Sequence, residues 1–330
     1  MSENLFRNDV IFITGGTGSF GKFFTSEVLK KGAKKVIIFS RDEDKQNSMR
    51  FDFKKYESRL EFIIGDVRDK DSLKRAVHGA KIDLLVHAAA LKQIPSTEGN
   101  ILEAVKTNIL GTQNVVDVCI EEGIPKAVAI STDKTVEPVN AYGMTKGLAE
   151  RIFILANKTD RSGKSKFACV RYGNVVNSRG SIIPLFTKQL EKGIPLTVTK
   201  KEMTRFILTL KEASNLVFTA ITKMKGGEIF VPKIKPIKIV DLAETMIENF
   251  GNKKTKIIEV GIRPGEKIHE SLISSSEWAY TEDKKDYFVI HPQIKIKGIG
   301  LKISKYSSDQ GPFLSKANIR LILKSEGVIK

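Results

Sequence analysis

Short apolar runs alternate with amphipathic stretches through the first half of the chain. The runs lie at 10–14, 35–39, 60–65, 83–89, 127–131 and 167–172, and each is apolar almost throughout. Stretches that suit helices follow at about Phe20 to Lys31, after residue 39, over 101–123 and after Tyr142. Strands without polar alternation are typical of a parallel sheet covered by helices on both faces. The pattern predicts an α/β fold with a doubly wound parallel sheet, whose ligands bind at the carboxyl ends of the strands.

The pattern loosens after about residue 175, where prolines divide the chain into short elements. These include RFILTL at 205–210, a helical stretch at 211–224, GEIFVP at 227–232 and VDLAETMIENF at 240–250. We expect one domain over 1–175 and a smaller one over 176–330, with some of the later chain returning to the sheet. Residues 293–303 alternate lysine and glycine with aliphatic residues, which suggests an edge strand or hairpin whose partner is open.

Composition and charge narrow the class of protein. The 330 residues are 41% hydrophobic and carry both charge signs, as a soluble globular protein does. The net charge of +17 raises the question of a nucleic-acid surface. However, the lysines are spread along the whole chain without interleaved aromatic residues, which favours solvated faces and attraction for a small polyanion. We therefore expect no nucleic-acid partner.

Cysteine, histidine and hydropathy patterns point to a cytoplasmic protein without a metal. Cys119 and Cys169 lie inside apolar runs, as buried free thiols do in a reducing compartment. The four histidines lack metal-ligand spacing. No run approaches the length of a membrane helix, and the first strand begins near Val10, which leaves no room for a signal peptide. We expect no membrane association.

A glycine-rich loop follows the first apolar run. In ITGGTGSFGK, the residues Gly15, Gly18 and Gly21 are spaced three apart between a predicted strand and a predicted helix. Glycines allow a tight turn and a close approach to a pyrophosphate, whose charge meets the free N–H groups at the helix start. Any tight strand-to-helix turn could use such glycines, but the strand before and the helix after favour a dinucleotide site.

The end of the second run bears on which dinucleotide is bound. A NAD site normally carries an acidic residue there, whereas this chain has Ser40 and Arg41, with Lys45 one helical turn later. A hydroxyl and a guanidinium suit a 2′-phosphate, so we expect NADP rather than NAD. An ordinary capped helix start, with Asp42 and Glu43 in its first turn, is the alternative, and both can hold at once.

Two further strand ends carry candidate cofactor contacts. Asp66, in GDVRD, is either an adenine contact or the cap of the next helix. HAAALK places the small residues Ala88 and Ala89 where the backbone must pass close to a cofactor, and then Lys92. The position of Lys92 just past a strand end favours contact with phosphate or sugar over a plain surface role.

The stretch AISTDKTVEPVNAYGMTKG, at 129–147, carries the candidate chemistry. Tyr142 and Lys146 are four apart, so on a helix they share one face. A nearby ammonium would lower the pKa of the phenol and let it exchange a proton with a carbinol near neutral pH. Asp133 and Lys134 stand just before them. By composition these two could form a solvated ion pair on a turn, but their setting favours an active site.

These residues resemble the extended short-chain dehydrogenases/reductases, which have a Rossmann fold. The family motif TGxxGxxG matches Thr14 to Gly21, YxxxK matches Tyr142 to Lys146, and Thr132 matches a catalytic hydroxyl residue. Asn108 lies where the family uses an asparagine to shape the site. Thr132-Asp133-Lys134, together with SRDE, GDVRD, HAAALK, VRYGNVVNSRGS, MTRF and RPGEKIHE, is similar to the inverting UDP-N-acetylglucosamine 4,6-dehydratases, over residues 10 to about 292.

The resemblance implies a reaction and a role for each catalytic residue. Tyr142, assisted by Lys146 and Thr132, would take the proton of the 4-hydroxyl as hydride passes from C4 to NADP. Lys134 would remove the C5 proton and must be neutral to do so. Desolvation beside Lys146 and the nicotinamide would lower its pKa. Protonated Asp133 would donate to the departing 6-hydroxyl before hydride returns to C6. The family begins pseudaminic acid biosynthesis and suggests a homo-oligomer.

The resemblance also assigns binding residues. Tyr172 and Val175 would line the nicotinamide, and two arginines could clamp a diphosphate while a carboxylate binds ribose hydroxyls. The expected cofactor residues are Gly15, Thr17, Gly18, Ser19, Phe20, Gly21, Ser40, Arg41, Lys45, Asp66, Val67, Ala88, Ala89, Lys92, Asn108, Tyr142, Lys146, Tyr172 and Val175. The expected residues for UDP-N-acetylglucosamine are Lys92, Asn174, Arg179, Arg205, Arg263 and Glu266.

Three other functions stay open from the sequence. A nucleotide-sugar 4-epimerase has the same fold, tyrosine and lysine, but it needs no base at C5. A retaining dehydratase, or one that acts on another nucleotide sugar, differs in its product. A NADP-binding sensor without catalysis would leave the complete set of catalytic residues unexplained.

Overall fold

The computed structural model describes residues 4–178, 180–250, 254–292 and 305–329. The predicted edge strand or hairpin at 293–303 and the predicted substrate residue Arg179 lie outside the described residues.

A nine-stranded sheet forms the centre of the fold. In spatial order its strands are β3 (Leu60–Ile64), β2 (Lys35–Ser40), β1 (Val10–Thr14), β4 (Leu84–His87), β5 (Lys126–Thr132), β6 (Lys166–Tyr172), β10 (Ile229–Pro232), β15 (Tyr287–Ile290) and β14 (Thr281–Asp283). The strands from β3 to β10 are parallel, and β15 and β14 complete the edge in antiparallel pairing. The order 3-2-1-4-5-6 is that of a doubly wound dinucleotide-binding sheet, as predicted.

Helices cover both faces of this sheet. They are α1 (Ser19–Lys30), α2 (Glu43–Asp52), α3 (Lys70–Val77), α4 (Ile94–Gly99), α5 (Ile101–Ala104), α6 (Gly111–Glu121), α7 (Ala141–Thr159) and α9 (Leu210–Lys223). In β1, Ile11 and Ile13 pack towards α1, α2 and α9, while Phe12 packs towards α3, α6 and α7. Since successive strand residues face opposite sides, a strand covered on both faces must be apolar throughout, as these runs are.

A smaller group of elements packs around its own core. It contains β7 (Asn174–Val175), β8 (Leu196–Val198), β9 (Thr204–Leu208), β11 (Pro236–Lys238), β12 (Ile257–Glu259), α8 (Ile182–Glu191), α10 (Ile239–Phe250) and α12 (Lys316–Ser325). By contrast, β13 (Ser271–Ile273), β16 (Tyr306–Ser307) and α11 (Ser275–Trp278) pack against the core of the large sheet. Phe186, Met246 and Leu323 are buried between α8, α10 and α12. The later strands β10, β14 and β15 instead complete the large sheet, and helix α9 packs on one of its faces. The assignment of the smaller group to substrate binding stays a prediction.

The predicted helix over 101–123 is continuous but changes its winding. Between α5 and α6, residues Val105–Leu110 form a π-helical segment that contains Asn108. Such segments are rare and often mark functional sites, because the extra residue redirects a side chain. In the part of the chain that is described, no helix combines the length and apolarity that crossing a membrane requires.

Candidate active site

The glycine loop after β1 has the close backbone approach that its sequence predicts. Gly15 has a φ of +66°, and a Cβ there would lie 2.7 Å from the Ala89 backbone nitrogen. At Gly21, a Cβ would lie 2.4 Å from the Gly16 carbonyl oxygen. Glycine is therefore required at both positions, and Ala88 and Ala89 pass directly beside the loop.

The start of α1 fits a pyrophosphate. Gly18 is its N-cap and offers no side-chain bond, and the first turn, from Ser19, contains no acidic residue. The backbone N–H groups of that turn and the positive end of the helix dipole therefore remain available to an anion. Thr17 closes the loop, since its hydroxyl donates to Ser40 Oγ at 3.3 Å.

Side chains after β2 combine helix capping with a basic group. Asp42 caps α2 by accepting the Lys45 backbone N–H at 3.0 Å, and its carboxylate pairs with the Lys45 ammonium. The capping alternative is therefore correct, except that Asp42 is the cap rather than a first-turn residue. Arg41 is half exposed and lies 3.3 Å from Asp66 Oδ2. The contacts of Ser40, Arg41 and Lys45 with a 2′-phosphate stay predictions.

Asp66 does not cap the next helix, so that alternative was wrong. Asp69 caps α3 instead, by accepting the Ser72 N–H at 2.9 Å. Asp66 accepts from the backbone and the Nε of Arg68. Although partial burial opposes it, Arg68 and Arg41 hold the pKa of Asp66 below its ordinary value. The charged group on this strand end therefore includes Arg68, which the sequence analysis missed, and an adenine contact of Asp66 and Val67 stays a prediction.

Asn108 ties the loop after β4 to α7. Its Oδ1 accepts the Leu91 N–H at 2.8 Å, and its Nδ2 donates to the Leu91 carbonyl and to Thr145 Oγ1, both at 3.0 Å. Because Asn108 is 1% exposed, these bonds fix the backbone between Ala88 and Lys92. Asn108 is thus placed to shape the site, while a cofactor contact of Lys92, which is exposed, stays a prediction.

The pair Asp133 and Lys134 is buried at the carboxyl end of β5. Thr132 ends that strand, and a 3₁₀ turn over 133–135 follows. Asp133 Oδ1 accepts from the Thr132 hydroxyl and from Lys134 Nζ, both at 2.9 Å. Asp133 is 0% exposed and the Lys134 side chain 15%. The alternative of a solvated ion pair on a turn is therefore wrong.

The neutral amine expected of Lys134 beside a bound nicotinamide stays a prediction. Burial acts to lower its pKa, but the carboxylates of Asp133 and Glu270 outweigh burial and raise the pKa above its ordinary value. The distance from Lys134 Nζ to Glu270 Oε1 is 3.6 Å. The two carboxylates therefore favour the ammonium form of Lys134. The sequence analysis missed Glu270, although that residue ends the quoted motif RPGEKIHE.

Tyr142 and Lys146 lie in the first turns of α7, as predicted. Asn140 caps this helix by accepting the Gly143 N–H at 2.7 Å. Burial raises the pKa of Tyr142, and the Lys134 ammonium and a hydrogen bond from Thr132 lower it in part. The ammonium that lowers the pKa of Tyr142 here is that of Lys134, and the part expected of Lys146 stays a prediction. Burial lowers the pKa of Lys146, which is 4% exposed.

The strand end beside Tyr142 places three more predicted residues. Tyr172 pairs in register with Thr132, and burial raises its pKa. Asn174 and Val175 follow in β7, and Asn174 Oδ1 is buried without a hydrogen-bond partner among the described residues. A buried acceptor of this kind suits a ligand donor. The contacts of these residues with nicotinamide or sugar stay predictions.

The predicted diphosphate residues have different surroundings. Arg205 donates to the carbonyls of Thr204, Lys267 and Ile268, so both terminal nitrogens already bind backbone. Arg263 is half exposed, and its guanidinium lies 3.9 Å from Glu266. Arg263 is thus available to a diphosphate, whereas Arg205 shapes the loop that carries Arg263.

Long-range contacts join the loop after β12 to the segment that follows the 133–135 turn. The sequence spacing did not predict these contacts. Asn140 Nδ2 donates to the Gly265 carbonyl at 2.7 Å, and Lys267 Nζ donates to the Val136 carbonyl at 2.5 Å. Glu98 accepts the Ala141 N–H at 2.6 Å. The loop after β12 therefore closes one side of the site. In the described ranges, no cluster of three or more His, Cys, Asp or Glu side chains could hold a metal ion.

Comparisons with known proteins agree with this arrangement. A family described as polysaccharide biosynthesis protein matches residues 11–292. The inverting UDP-N-acetylglucosamine 4,6-dehydratase of Campylobacter jejuni is 41% identical over 98% of this chain and 100% of that protein. A UDP-glucose 4-epimerase of Rickettsia rickettsii is 41% identical over 92% of this chain and 87% of that protein.

A solved structure is similar over nearly the whole chain. The X-ray structure of Pen from Bacillus thuringiensis has a TM-score of 0.91 and 37% identity, and the match covers 97% of this chain and 98% of Pen. The chain belongs to the polysaccharide biosynthesis protein family and is an extended short-chain dehydrogenase/reductase of the kind to which the inverting UDP-N-acetylglucosamine 4,6-dehydratases belong.

Proposed function

We propose that this protein is a UDP-N-acetylglucosamine 4,6-dehydratase that inverts C5, uses NADP and supplies a pseudaminic acid or related surface-glycan pathway. The observation that carries the proposal is the buried pair Asp133 and Lys134, 2.9 Å apart beside the Tyr142 helix. Burying two charges is costly, so a pair in this place calls for a function. The similarity to the Campylobacter jejuni dehydratase supports the same reaction.

The tyrosine serves the first proton transfer. When bound along the glycine loop and the α1 start, a nicotinamide dinucleotide supplies the hydride acceptor at C4 and the hydride donor at C6. Tyr142 takes the proton of the 4-hydroxyl, and Thr132 and the nearby ammonium stabilise the phenolate. Lys146, buried one turn along α7, faces the same side of that helix.

The pair supplies the acid and the base for the loss of water. The pair holds one proton, which rests on Lys134, because Asp133 and Glu270 raise the pKa of that amine. Moving that proton from Nζ to Oδ1 of Asp133 leaves a neutral amine and a carboxylic acid without any exchange with solvent. The amine then takes the C5 proton, and the acid donates to the departing 6-hydroxyl. The ammonium and the carboxylate are therefore the resting form of the pair.

A UDP-glucose 4-epimerase is the second candidate. The name of the Rickettsia rickettsii relative favours it, at the same 41% identity. An epimerase uses the tyrosine and the dinucleotide but removes no C5 proton. It therefore gives no role to a buried lysine and aspartate at the end of β5. For this reason we place the dehydratase first.

Deuterated water separates the two candidates. The protein is incubated with UDP-N-acetylglucosamine and NADP in D₂O, and the product is examined by mass spectrometry and NMR. A dehydratase gives a 4-keto-6-deoxy sugar with deuterium at C5, and the coupling constants show inversion. A 4-hydroxyl epimer that keeps its 6-hydroxyl and its C5 hydrogen would overturn the proposal in favour of the epimerase.

The choice of NADP rests on Arg41 and Ser40 at the end of β2. Arg41 is half exposed beside Asp66, within reach of a group bound at that strand end. A charge-assisted bond to a 2′-phosphate is worth about 1.5–3 kcal/mol, or roughly 10- to 100-fold in affinity. Arg41→Ala should weaken NADP binding by that factor and leave NAD binding nearly unchanged, as measured by titration calorimetry. Equal losses for both cofactors would contradict the assignment.

A further inference from the structure

Glu270 is a buried carboxylate whose side chain lies beside the 133–135 turn. It comes from a later part of the chain than β5 and α7, which flank that turn. Its side chain is 3% exposed, and Oε1 lies 3.6 Å from Lys134 Nζ. On its other side, Oε2 lies 3.6 Å from Lys267 Nζ. Two ammonium groups and the carboxylates of Glu270 and Asp133 thus form one cluster, and the Arg205 guanidinium is near enough to lower the pKa of Lys134.

The backbone of Glu270 is held on both sides, which directs its side chain. Its N–H donates to Ser308 Oγ at 2.9 Å, and the Ser308 N–H donates to the Glu270 carbonyl at 2.7 Å. Glu270 immediately precedes β13, which pairs with β16. Since the segment is fixed by the last strand of the described chain, Glu270 faces the 133–135 turn in a defined position.

The cluster is incompletely hydrogen-bonded. Asp133 Oδ2 and Glu270 Oε2 are buried, and neither has a hydrogen-bond partner among the described residues. A structural cluster of this kind would normally satisfy both oxygens, because an unpaired buried acceptor is costly. Two acceptors left open beside Lys134 indicate that the cluster is arranged for a proton or for a ligand donor.

We propose that Glu270 is a positioning residue for the dehydration: it holds the Lys134 ammonium beside Asp133 and keeps the proton on that pair until the sugar nucleotide binds. This inference rests on the proposed function. Glu270 touches neither sugar nor cofactor in this role and acts through Lys134. A carboxylate 3.6 Å from Nζ favours the protonated form of Lys134.

The first test measures the contact without any substrate. Unfolding of Glu270→Gln, Lys134→Met and the double variant is followed in urea, with Glu121→Gln as the matched control, because Glu121 also lies between two lysines, Lys70 and Lys74. In the Lys134→Met background, Glu270 and Asp133 repel each other. The double variant should therefore lose less stability than the sum of the single variants. Additive losses would overturn the proposal.

The second test measures how the pH dependence of the reaction changes when Glu270 is replaced. Deuterium incorporation at C5 is measured against pH for the wild type, Glu270→Gln, Glu270→Asp and Glu121→Gln. Removing the Glu270 charge lowers the pKa of Lys134, so the profile of Glu270→Gln should move to lower pH by roughly one unit or more. The profile of Glu270→Asp should lie between those of Glu270→Gln and the wild type. Glu121→Gln should leave the wild-type profile unchanged. A lower rate with an unmoved profile would show a merely structural role and overturn the proposal.

The two tests separate this inference from the proposed function. If the wild type incorporates no deuterium at C5 while the unfolding cycle is non-additive, the proposed dehydration fails and the pairing of Glu270 with Lys134 stands. If the wild type is a dehydratase and the cycle is additive, the role of Glu270 fails alone. If Glu270→Gln does not fold, both tests are made with Glu270→Asp instead. That variant keeps the negative charge but places it farther from Lys134.

Discussion

Two buried charge clusters lie side by side in this protein and have the same plan, a cation between two carboxylates. In one, Arg171 of β6 lies between Glu150 of α7 and Glu277 of α11. In the other, Lys134 lies between Asp133 and Glu270. The two clusters lie on or just after the adjacent strands β6 and β5, and each takes one group from the segment at β13, the Leu272 carbonyl in the first and Glu270 in the second.

The clusters differ in how completely they are hydrogen-bonded. Arg171 makes five bonds of 2.8–3.0 Å, two to Glu150, two to Glu277 and one to the Leu272 carbonyl. These use all five donors of the guanidinium. Lys134 makes one such bond, to Asp133, and one carboxylate oxygen of each of its partners has none among the described residues.

The difference in hydrogen bonding predicts a different role for each cluster. A planar guanidinium with every donor used cannot give up its proton, and it fixes β6, α7 and α11 to one another. An ammonium with one good bond can transfer a proton to its neighbour, and the open oxygens can accept one. We therefore expect substitutions in the Arg171 cluster to lower the stability of the fold. Substitutions in the Lys134 cluster should instead lower turnover.

The largest effect should come from Lys134→Met. It removes the proposed base and the partner of Asp133, so turnover of UDP-N-acetylglucosamine should fall by about 10⁴-fold. NMR of the product formed over time measures this. Lys70→Met, which removes a lysine paired with Asp117 and Glu121, should leave turnover unchanged and is the control. A Lys134→Met protein with parental turnover would contradict the whole assignment of the site.

Arg171→Met should act mainly on stability. It leaves Glu150 and Glu277 buried without their cation, which should lower the free energy of unfolding by about 3–5 kcal/mol. Urea unfolding followed by circular dichroism measures the loss. Adding Glu150→Gln and Glu277→Gln removes the stranded charges and should recover much of it. A loss below about 1 kcal/mol would show that this cluster does not hold the elements together.

Acid should weaken the Arg171 cluster through Glu277. Burial opposes the shift, but Arg171 lowers the pKa of Glu277 to about 2, from an ordinary 4.5. A depressed pKa gives stability that is present above pH 4.5 and is lost as the pH falls towards 2. The contribution is about 3 kcal/mol. The difference in unfolding free energy between wild type and Glu277→Gln, measured from pH 6 to 2, should shrink accordingly. A constant difference would contradict the shift.

The smallest effect tests whether the clusters are separate. Glu150 bonds Arg171, and it also accepts from Thr135 of the catalytic turn at 3.4 Å. Glu150→Gln should cost about 1–3 kcal/mol of stability, while turnover falls less than about tenfold. Unfolding and product NMR on the same preparation measure both. A loss of turnover as large as that of Lys134→Met would mean that the two clusters work as one.

Local spacing predicted much of the fold and part of the site. The six apolar runs are strands, and the glycine loop and the Tyr142 helix lie where their patterns predict. These features depend on residues within one turn or one helix, where geometry follows from spacing. The adjacency of Asp133 and Lys134 belongs to the same class, because neighbours on one turn stay together in any fold.

The rest depends on contacts between distant segments, which no local pattern contains. Glu270 meets Lys134 only because β13 pairs with β16 beside the catalytic turn. Burial lowers the pKa of Lys134, as the sequence analysis expected, but Asp133 and then Glu270 outweigh burial and raise that pKa. Arg205 was expected at a diphosphate for its charge, and the fold instead surrounds it with carbonyl oxygens.

The bonds between Ser308 and Glu270 make the tail of the chain a condition for chemistry at its centre. A ribosome completes the glycine loop, the Tyr142 helix and the 133–135 turn long before it reaches Ser308. Until β16 is made, β13 has no strand to pair with there, and Glu270 has no Ser308 to hold it beside Lys134. The surroundings of the buried pair are therefore completed by the last strand of the described chain.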